Sequence, residues 1–160
     1  MGLRVHGQLT EIRRATDDDA AMLVAWYADP DVSRFWDDET FTHDEMLTRL
    51  HRDDVDAWIV EEAGLPVGYI QSWWESGDPR RGGLDMFLVP GARGRGLGPD
   101  AARALALALL ADGWADVTVD PYRDNEPAIR AWQRAGFEPV AERQADEGHP
   151  RPWLLMRFRP

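Results

Sequence analysis

Residues 93–98 read Arg93-Gly94-Arg95-Gly96-Leu97-Gly98, directly after an apolar run and directly before a stretch built largely of alanine and leucine. Three glycines let the backbone turn sharply and bring its N–H groups up to an anion with no side chain in the way. A helix starting there points its positive end at the same spot, and Pro99 falls in the first turn, where a helix has no N–H bond to lose. The combination is a phosphate cradle; without a ligand, the same loop is a tight strand-to-helix turn. Two familiar phosphate loops fit poorly. A Walker loop ends in Gly-Lys-Ser/Thr, and the chain has no lysine. A dinucleotide fingerprint needs Gly-x-Gly-x-x-Gly early in a βαβ unit; Asp120 lies at a suitable distance, but the spacing is absent and the loop comes late.

Two carboxylates stand out beside the loop. Asp85 interrupts the apolar run Leu84 to Val89, and an acid inside such a strand calls for a partner or a task. Asp120 closes a second short apolar run, just before Pro121, where it also suits a turn. The histidines suggest no metal site: His43 and His51 lack metal-ligand spacing, and His149 falls at an expected hairpin tip. The absence of cysteine excludes disulfides, zinc–thiolate sites and a thiol nucleophile.

The chain has 160 residues, about one ordinary domain, and a net charge of -11. The charge is unevenly placed: residues 1–62 hold 16 Asp and Glu against 6 Arg, and residues 63–160 hold 13 against 12. Such a field repels nucleic acid and anionic lipid and gathers cations, so polyamine-like ligands suit it better than polynucleotides; an acidic surface also serves solubility alone. No apolar run approaches the length of a membrane span, and the N-terminal residues lack the apolar core of a signal peptide. These features predict a soluble, cytoplasmic protein with no nucleic-acid or membrane partner.

The elements that must position the loop and the carboxylates follow from local patterning. Glu11 to Ala15 reads as a strand, and Thr16 before Asp17-Asp18-Asp19 reads as a helix cap with acids in the first turn. The first helix runs through Ala20, Leu23, Val24 and Tyr27 to Asp29-Pro30. Thr42-His43-Asp44-Glu45 has capping-box spacing and opens a second helix. Ala57 to Glu61 and Val67 to Trp73 read as strands joined at Gly64-Leu65-Pro66, and Leu84 to Val89 as the strand entering the loop. A third helix spans Pro99 to Asp112 and ends at Gly113; its apolar faces predict deep packing on a sheet. Val117 to Asp120, a helix capped by Asp124 or Asn125, and strands Phe137 to Arg143 and Trp153 to Phe158 complete the order. The sum is β-α-α-β-β-β-α-β-α-β-β, one α/β domain over residues 1–160. Ligands of open α/β sheets gather where strands hand over to helices, where the loop and Asp120 both lie.

This order and these motifs resemble the GNAT N-acetyltransferase superfamily over essentially the whole chain. Arg93-x-x-Gly96-x-Gly98 is similar to its acetyl-CoA pyrophosphate loop, and Asn125-x-x-Ala128-x-x-x-Trp132-x-x-x-Gly136-Phe137 to its second block. Within the superfamily the sequence resembles aminoglycoside 6'-N-acetyltransferases at Pro66 to Ser72, Gly83 to Leu88, Asp120-Pro121, Asn125, Ala128 to Arg130 and Ala135 to Phe137. Phe35-Trp36 is similar to an aromatic pair between that family's first two helices. The resemblance implies a GNAT fold: an α/β domain with a mixed, mostly antiparallel central sheet flanked by helices. It also implies acetyl-CoA as cosubstrate, with no metal, and a small cationic amine as acceptor, most simply an aminoglycoside whose acetylation confers antibiotic resistance.

By the same resemblance, backbone groups of Met86, Phe87, Leu88 and Val89 run beside the pantetheine arm, with one N–H aimed at the thioester oxygen, and Arg93 to Gly98 hold the pyrophosphate with Asn125 nearby. Asp85 and Asp120 match acceptor-site aspartates, with a base role for Asp85. An aliphatic ammonium, with a pKa near ~10, must lose a proton before it attacks, which suits a carboxylate at that place. Trp36, Asp38, Trp73 and Glu75 are the further candidates for holding the acceptor, through charge and stacking. Two departures stand out. Trp132 occupies the position where many relatives carry a tyrosine that protonates the departing thiolate, and indole is no such acid, which leaves nearby Tyr122 as a weaker candidate. The segment Glu75 to Pro79 is short where the aminoglycoside enzymes have a longer acidic and aromatic stretch. These leave open a siderophore-pathway, polyamine or protein N-acyltransferase, although the siderophore enzymes carry histidine at the Asp85 position, and a non-catalytic acyl-CoA-binding module.

Overall fold

The computed structural model describes residues 4–75 and 77–160. Met1, Gly2, Leu3 and Ser76, on which the signal-peptide reading and part of the short acidic segment fall, lie outside the described residues. The strands are β1 (Arg4–His6), β2 (Glu11–Arg14), β3 (Val55–Glu62), β4 (Leu65–Trp74), β5 (Arg81–Leu88), β6 (Asp116–Val119), β7 (Phe137–Arg143) and β8 (Trp153–Phe158). The helices are α1 (Ala20–Ala28), α2 (Pro30–Ser33), α3 (His43–Leu50), α4 (Leu97–Ala111) and α5 (Glu126–Ala135). All eight strands join one sheet in the order β1-β2-β3-β4-β5-β6-β8-β7. Every pairing is antiparallel except β5 with β6, so the sheet is mixed and mostly antiparallel.

Side-chain alternation divides the core between the two faces. Trp58, Val60, Ile70 and Leu84 point to the face covered by α4, where Ala101, Leu105 and Leu109 are fully buried. Ala57, Ile59, Tyr69 and Phe87 point to the opposite face, under Leu23 and Tyr27 of α1 and Met46 of α3. Contrary to expectation, α4 is not buried all round: Leu107 is 41% exposed, because the helix packs through one alanine- and leucine-rich side.

Local chemistry accounts for other departures from the expected elements. β1 is an addition, too short for periodicity to reveal. Asp17–Asp19 form a 3-10 turn before α1, and Asp19 is buried. Its carboxylate takes two 2.8 Å bonds from Arg13 and accepts the Thr16 N–H, so the expected cap at Thr16 with acids in the first turn forms and is also tied to β2. The β3–β4 turn is centred on Ala63 and Gly64, both at positive φ, as two-residue hairpins require. β5 starts at Arg81, earlier than expected, because Gly82 lies where a Cβ would come within 1.8 Å of the Trp73 carbonyl oxygen. Among the described residues, no helix is long and apolar enough to cross a membrane.

Candidate active site

β5 and β6 begin side by side and then part. β5 pairs with β4 from Gly82 to Leu88 but meets β6 only over Arg81 to Gly83. Beyond that point β6 stays with β8, and among the described residues no strand pairs with the other edge of Leu84–Leu88. The opening leads into a cleft of about 920 Å³ lined by β5, the glycine loop, α5 and the segment after α2.

The parallel register explains why two acids meet there. Gly83 is opposite Thr118, so Asp85 and Asp120, each two residues further on, face each other across the gap. Period-2 alternation puts both on the α1/α3 side, whereas Met86 and Leu88 point to the α4 side and contact Gly98. One strand therefore separates two jobs. Its apolar positions pack against the glycine loop, and its acid enters the opposite half of the cleft.

On the glycine-loop half, Gly96 adopts φ 79° as the N-cap of α4, and the helix starts at Leu97, two residues earlier than expected. Gly94, Gly96, Leu97 and Gly98 line the cleft, as do Met86, Phe87 and Leu88. A Cβ on Gly98 would crowd Met86 and Leu88 at 3.3 and 3.4 Å, so glycine lets α4 approach the open strand edge. Asn125 caps α5 by accepting the Ala128 N–H, and it also lines the cleft. Val89 and Arg95 do not; Arg95 is exposed and paired with Glu62 at 2.8 Å. Arg93 lines the cleft, but its guanidinium donates to the carbonyl oxygens of Leu88 at 3.1 Å and Asp31 at 2.8 Å. It thus braces the loop against the segment after α1 and is not a free cation for an anion. Two further cations on this side, Arg130 and Arg134, come from α5, and Arg130 is paired with Glu126 at 3.7 Å.

On the other half, Asp85 sits in a built environment. Gln71, its cross-strand neighbour, donates Nε2–H to Asp85 Oδ2 at 2.9 Å. Tyr69 and Arg49 both donate to the Gln71 amide oxygen, at 3.0 and 3.2 Å, which turns the amide nitrogen toward Asp85. Burial, reinforced by the negative charge of Asp120, pushes the Asp85 carboxyl up to about 7, despite the Gln71 hydrogen bond and the nearby positive charges. Trp36 lines the cleft, edge-on to Tyr27, Tyr69 and Phe87 with centroids 5.5–6.0 Å away.

The remaining acceptor candidates lie elsewhere. Asp38 is exposed, and its neighbours Asp37 and Glu39 line the cleft in its place. Trp73 shares the face of Gln71 but closes onto Gly83, whose missing side chain leaves room for the indole. Glu75 is exposed beyond the end of β4 and does not line the cleft.

Sequence reasoning offers Tyr122 only as a candidate acid, and it misses Arg49 and the place of His149 in the cleft. His149 lines the cleft with Nε2 2.7 Å from Asp120 Oδ2 and Nδ1 2.8 Å from Asp146 Oδ1. Burial pulls this imidazole down, but the two carboxylates outweigh it and hold it above its ordinary value. Tyr122 donates its hydroxyl to Asp37 at 2.7 Å, tying the segment after α2 to the segment after β6. Burial and that hydrogen bond push its hydroxyl up to about 12, so it is a poor proton source for a leaving thiolate. Arg49 orients Gln71 from α3. Gln71 lay within a stretch already singled out for its resemblance; Arg49, His149 and Tyr122 carry no local motif. Trp132 is buried against Phe137 at the edge of the cleft, and offers no acid.

The cleft thus brings together an open strand edge, a glycine loop at a helix N-terminus and, opposite them, a carboxylate pair. Residues 15–145 match the acetyltransferase (GNAT) domain family. The chain is 31% identical over 146 residues to an aminoglycoside N(6')-acetyltransferase type 1 of Klebsiella pneumoniae, covering 79% of this chain and 73% of that protein. Among solved structures it is similar to AAC(6')-Ib in complex with parmomycin and acetyl-CoA (27% identity, TM-score 0.81, 94% and 93% of the two chains). It is also similar to the same enzyme with coenzyme A and kanamycin (28% identity, TM-score 0.79, 92% and 93%). The chain belongs to the GNAT acetyltransferase family. It is an acetyl-CoA-dependent N-acetyltransferase.

Proposed function

We propose that the chain acetylates the 6'-amine of an aminoglycoside. The observation that carries this reading is the pair Asp85 and Asp120, facing each other at the open end of the β5–β6 gap with Asp37, Glu39 and Trp36 on the same cleft wall. Several carboxylates around one aromatic surface suit a small sugar bearing several ammonium groups. The similarity to aminoglycoside acetyltransferases supports the same acceptor class.

Acetyl-CoA, when bound, supplies a thioester carbonyl activated for attack. The chain's residues supply the rest. Backbone N–H groups of the glycine loop and the first turn of α4 meet the pyrophosphate, and the free edge of Leu84–Leu88 runs beside the pantetheine arm, with an N–H for the developing oxyanion. Asp120 attracts the ammonium and Asp85 takes its proton. Moving a proton from an ammonium near ~10 to an ordinary carboxylate near ~4 costs about 8 kcal/mol; to a carboxyl near ~7, about 4 kcal/mol. Raising Asp85 by burial therefore roughly halves the cost of making the free amine. With Trp132 in the second block and the Tyr122 proton committed to Asp37, the thiolate departs unassisted, which its pKa near ~8.5 permits.

Release of free CoA, measured with a panel of aminoglycosides, polyamines and peptides, tests the reading. Turnover with kanamycin and products acetylated at the 6' position are expected. Activity confined to peptides or polyamines overturns the aminoglycoside assignment.

A further inference from the structure

His149 makes contacts that a hairpin-tip residue does not need. Its two nitrogens face two carboxylates, Asp120 at 2.7 Å and Asp146 at 2.8 Å, which makes both nitrogens donors and the ring an imidazolium. The ring stacks on Trp153 at 4.2 Å between centroids and 16° between planes. Trp153 in turn donates its indole N–H to Asp146 Oδ2 at 2.9 Å, and the Gly148 N–H donates to Asp146 Oδ1. Paired backbone bonds between Asp146 and His149 close the turn. The imidazolium is thus held by Asp146 and Trp153, while its third partner, Asp120, belongs to the cleft.

We propose that His149 is a positioning residue for the acceptor site: a clamped imidazolium that fixes the Asp120 carboxylate opposite Asp85 and sets how much negative charge the cleft presents to an incoming amine. The proposal rests on the acetyl-transfer reading of the site and adds a specificity-setting residue to it. Asp120 Oδ2 is engaged by His149, and Oδ1 accepts no hydrogen bond among the described residues, which leaves it for the ammonium. With both aspartates ionised, the trio carries one net negative charge when His149 is protonated and two when it is not. The proton on His149 therefore decides whether Asp85 feels an isolated carboxylate or a neutralised ion pair across the gap.

The charged and titratable groups around the ring are few. Asp120 faces it from the end of β6, Asp146 from its own turn and Tyr122 edge-on at 6.3 Å from the segment before α5. Behind Tyr122 stand Asp37, which accepts its hydroxyl, and Arg151, stacked 4.0 Å from its ring and paired with Asp124. Asp85 lies across the gap on β5. Arg151 is thus occupied by Tyr122 and Asp124, and His149 supplies the cation in contact with Asp120.

Two measurements test this. The first is the pH profile of kcat/KM for kanamycin with saturating acetyl-CoA in wild type, His149→Gln and His149→Lys. Removing the cation leaves Asp85 facing an uncompensated Asp120, so the acid limb of His149→Gln moves up by about half to one pH unit, and His149→Lys moves it back. An unmoved limb in His149→Gln, or a lysine variant no nearer wild type than glutamine, overturns the proposal. The second uses the unmodified protein and needs no turnover: the His149 ring, assigned by its loss in His149→Gln, is titrated by NMR. Titration above the free-imidazole value supports the clamp; titration at or below it overturns the proposal. If wild type acetylates another amine and not kanamycin, the acceptor assignment fails, and the same profile taken with that amine still decides the role of His149.

Discussion

The two walls of the cleft are built from different parts of the amino acid. The glycine-loop wall is mostly backbone: the free edge of Leu84–Leu88, the left-handed Gly96 and the first turn of α4, with apolar side chains turned inward to hold these in place. The acceptor wall is mostly side chain: Asp85 held by Gln71, Gln71 held by Tyr69 and Arg49, Asp120 held by His149, and Asp37 held by Tyr122. Backbone recognition takes one contiguous stretch and tolerates many side chains. Side-chain recognition draws single residues from six or so separate segments, and each link is a place where specificity can change. The first wall therefore depends on one local stretch of chain, and the second on contacts among several.

The largest expected break comes from Asp85→Asn. Loss of a general base lowers kcat/KM for the acceptor by about 10²–10⁴-fold, while acetyl-CoA affinity, measured by calorimetry, stays as it was. Full activity in this variant would remove the proton-accepting role of Asp85.

The pH dependence separates the walls next. Asp85 must be ionised to accept a proton, so kcat/KM for the acceptor rises with pH, up to tenfold per unit, and levels off above about 7. Acetyl-CoA binding, carried by the backbone, follows no such limb.

Gly96→Val strikes only the donor wall. A β-branched residue at φ 79° costs about 1–2 kcal/mol of stability, and the loop shift that relieves this strain raises the KM for acetyl-CoA with little change in the acceptor KM. A larger effect on the acceptor would mean the walls are not separable. Tyr122→Phe does the reverse: losing its bond to Asp37 raises the acceptor KM by about 5–10-fold, equivalent to about 1 kcal/mol, and spares acetyl-CoA.

The smallest effect is on stability. The folded state holds the Asp85 proton that the unfolded chain releases near ~4. Its contribution to stability is full below that pH and is lost as pH rises toward about 7, above which a poorly solvated charge remains in the fold. Asp85→Asn therefore melts higher than wild type at pH 8, by about 2–4 °C for each kcal/mol relieved, and no higher at pH 4. Equal melting at pH 8 would show that Asp85 is well solvated.

Strand and helix positions were legible wherever a run was long enough to show its period or a cap marked its end. β7 and β8 fall where patterning puts them, and Thr42 and Asn125 cap as expected. β1 and α2, of three and four residues, show no period, and Pro30 reads equally as a stop and as the first residue of a new turn. In the cleft, Asp85 and Asp120 were visible as acids at strand ends, but Trp73, Glu75 and Asp38 rested on residue type and approximate place in the chain, and none of the three lines the cleft. The role of Trp73 depended on whether Gly83 left it room, a fact of register that no local pattern carries.

The sequence by itself determined the glycine loop: glycines where the backbone turns left-handed, an apolar strand before them and a helix after. Those are local requirements, met by neighbours along the chain. Only the tertiary structure decided the acceptor side. Whether Asp85 meets Asp120, whether Arg93 reaches the Asp31 carbonyl, and whether His149 is a loop residue or a clamp depend on strand register and on contacts between segments 29 to 62 residues apart. Hydrogen bonds and charge pairs act over a few ångströms in space and are indifferent to distance along the chain, so the pattern that sets Asp85's acidity becomes readable once the sheet has closed.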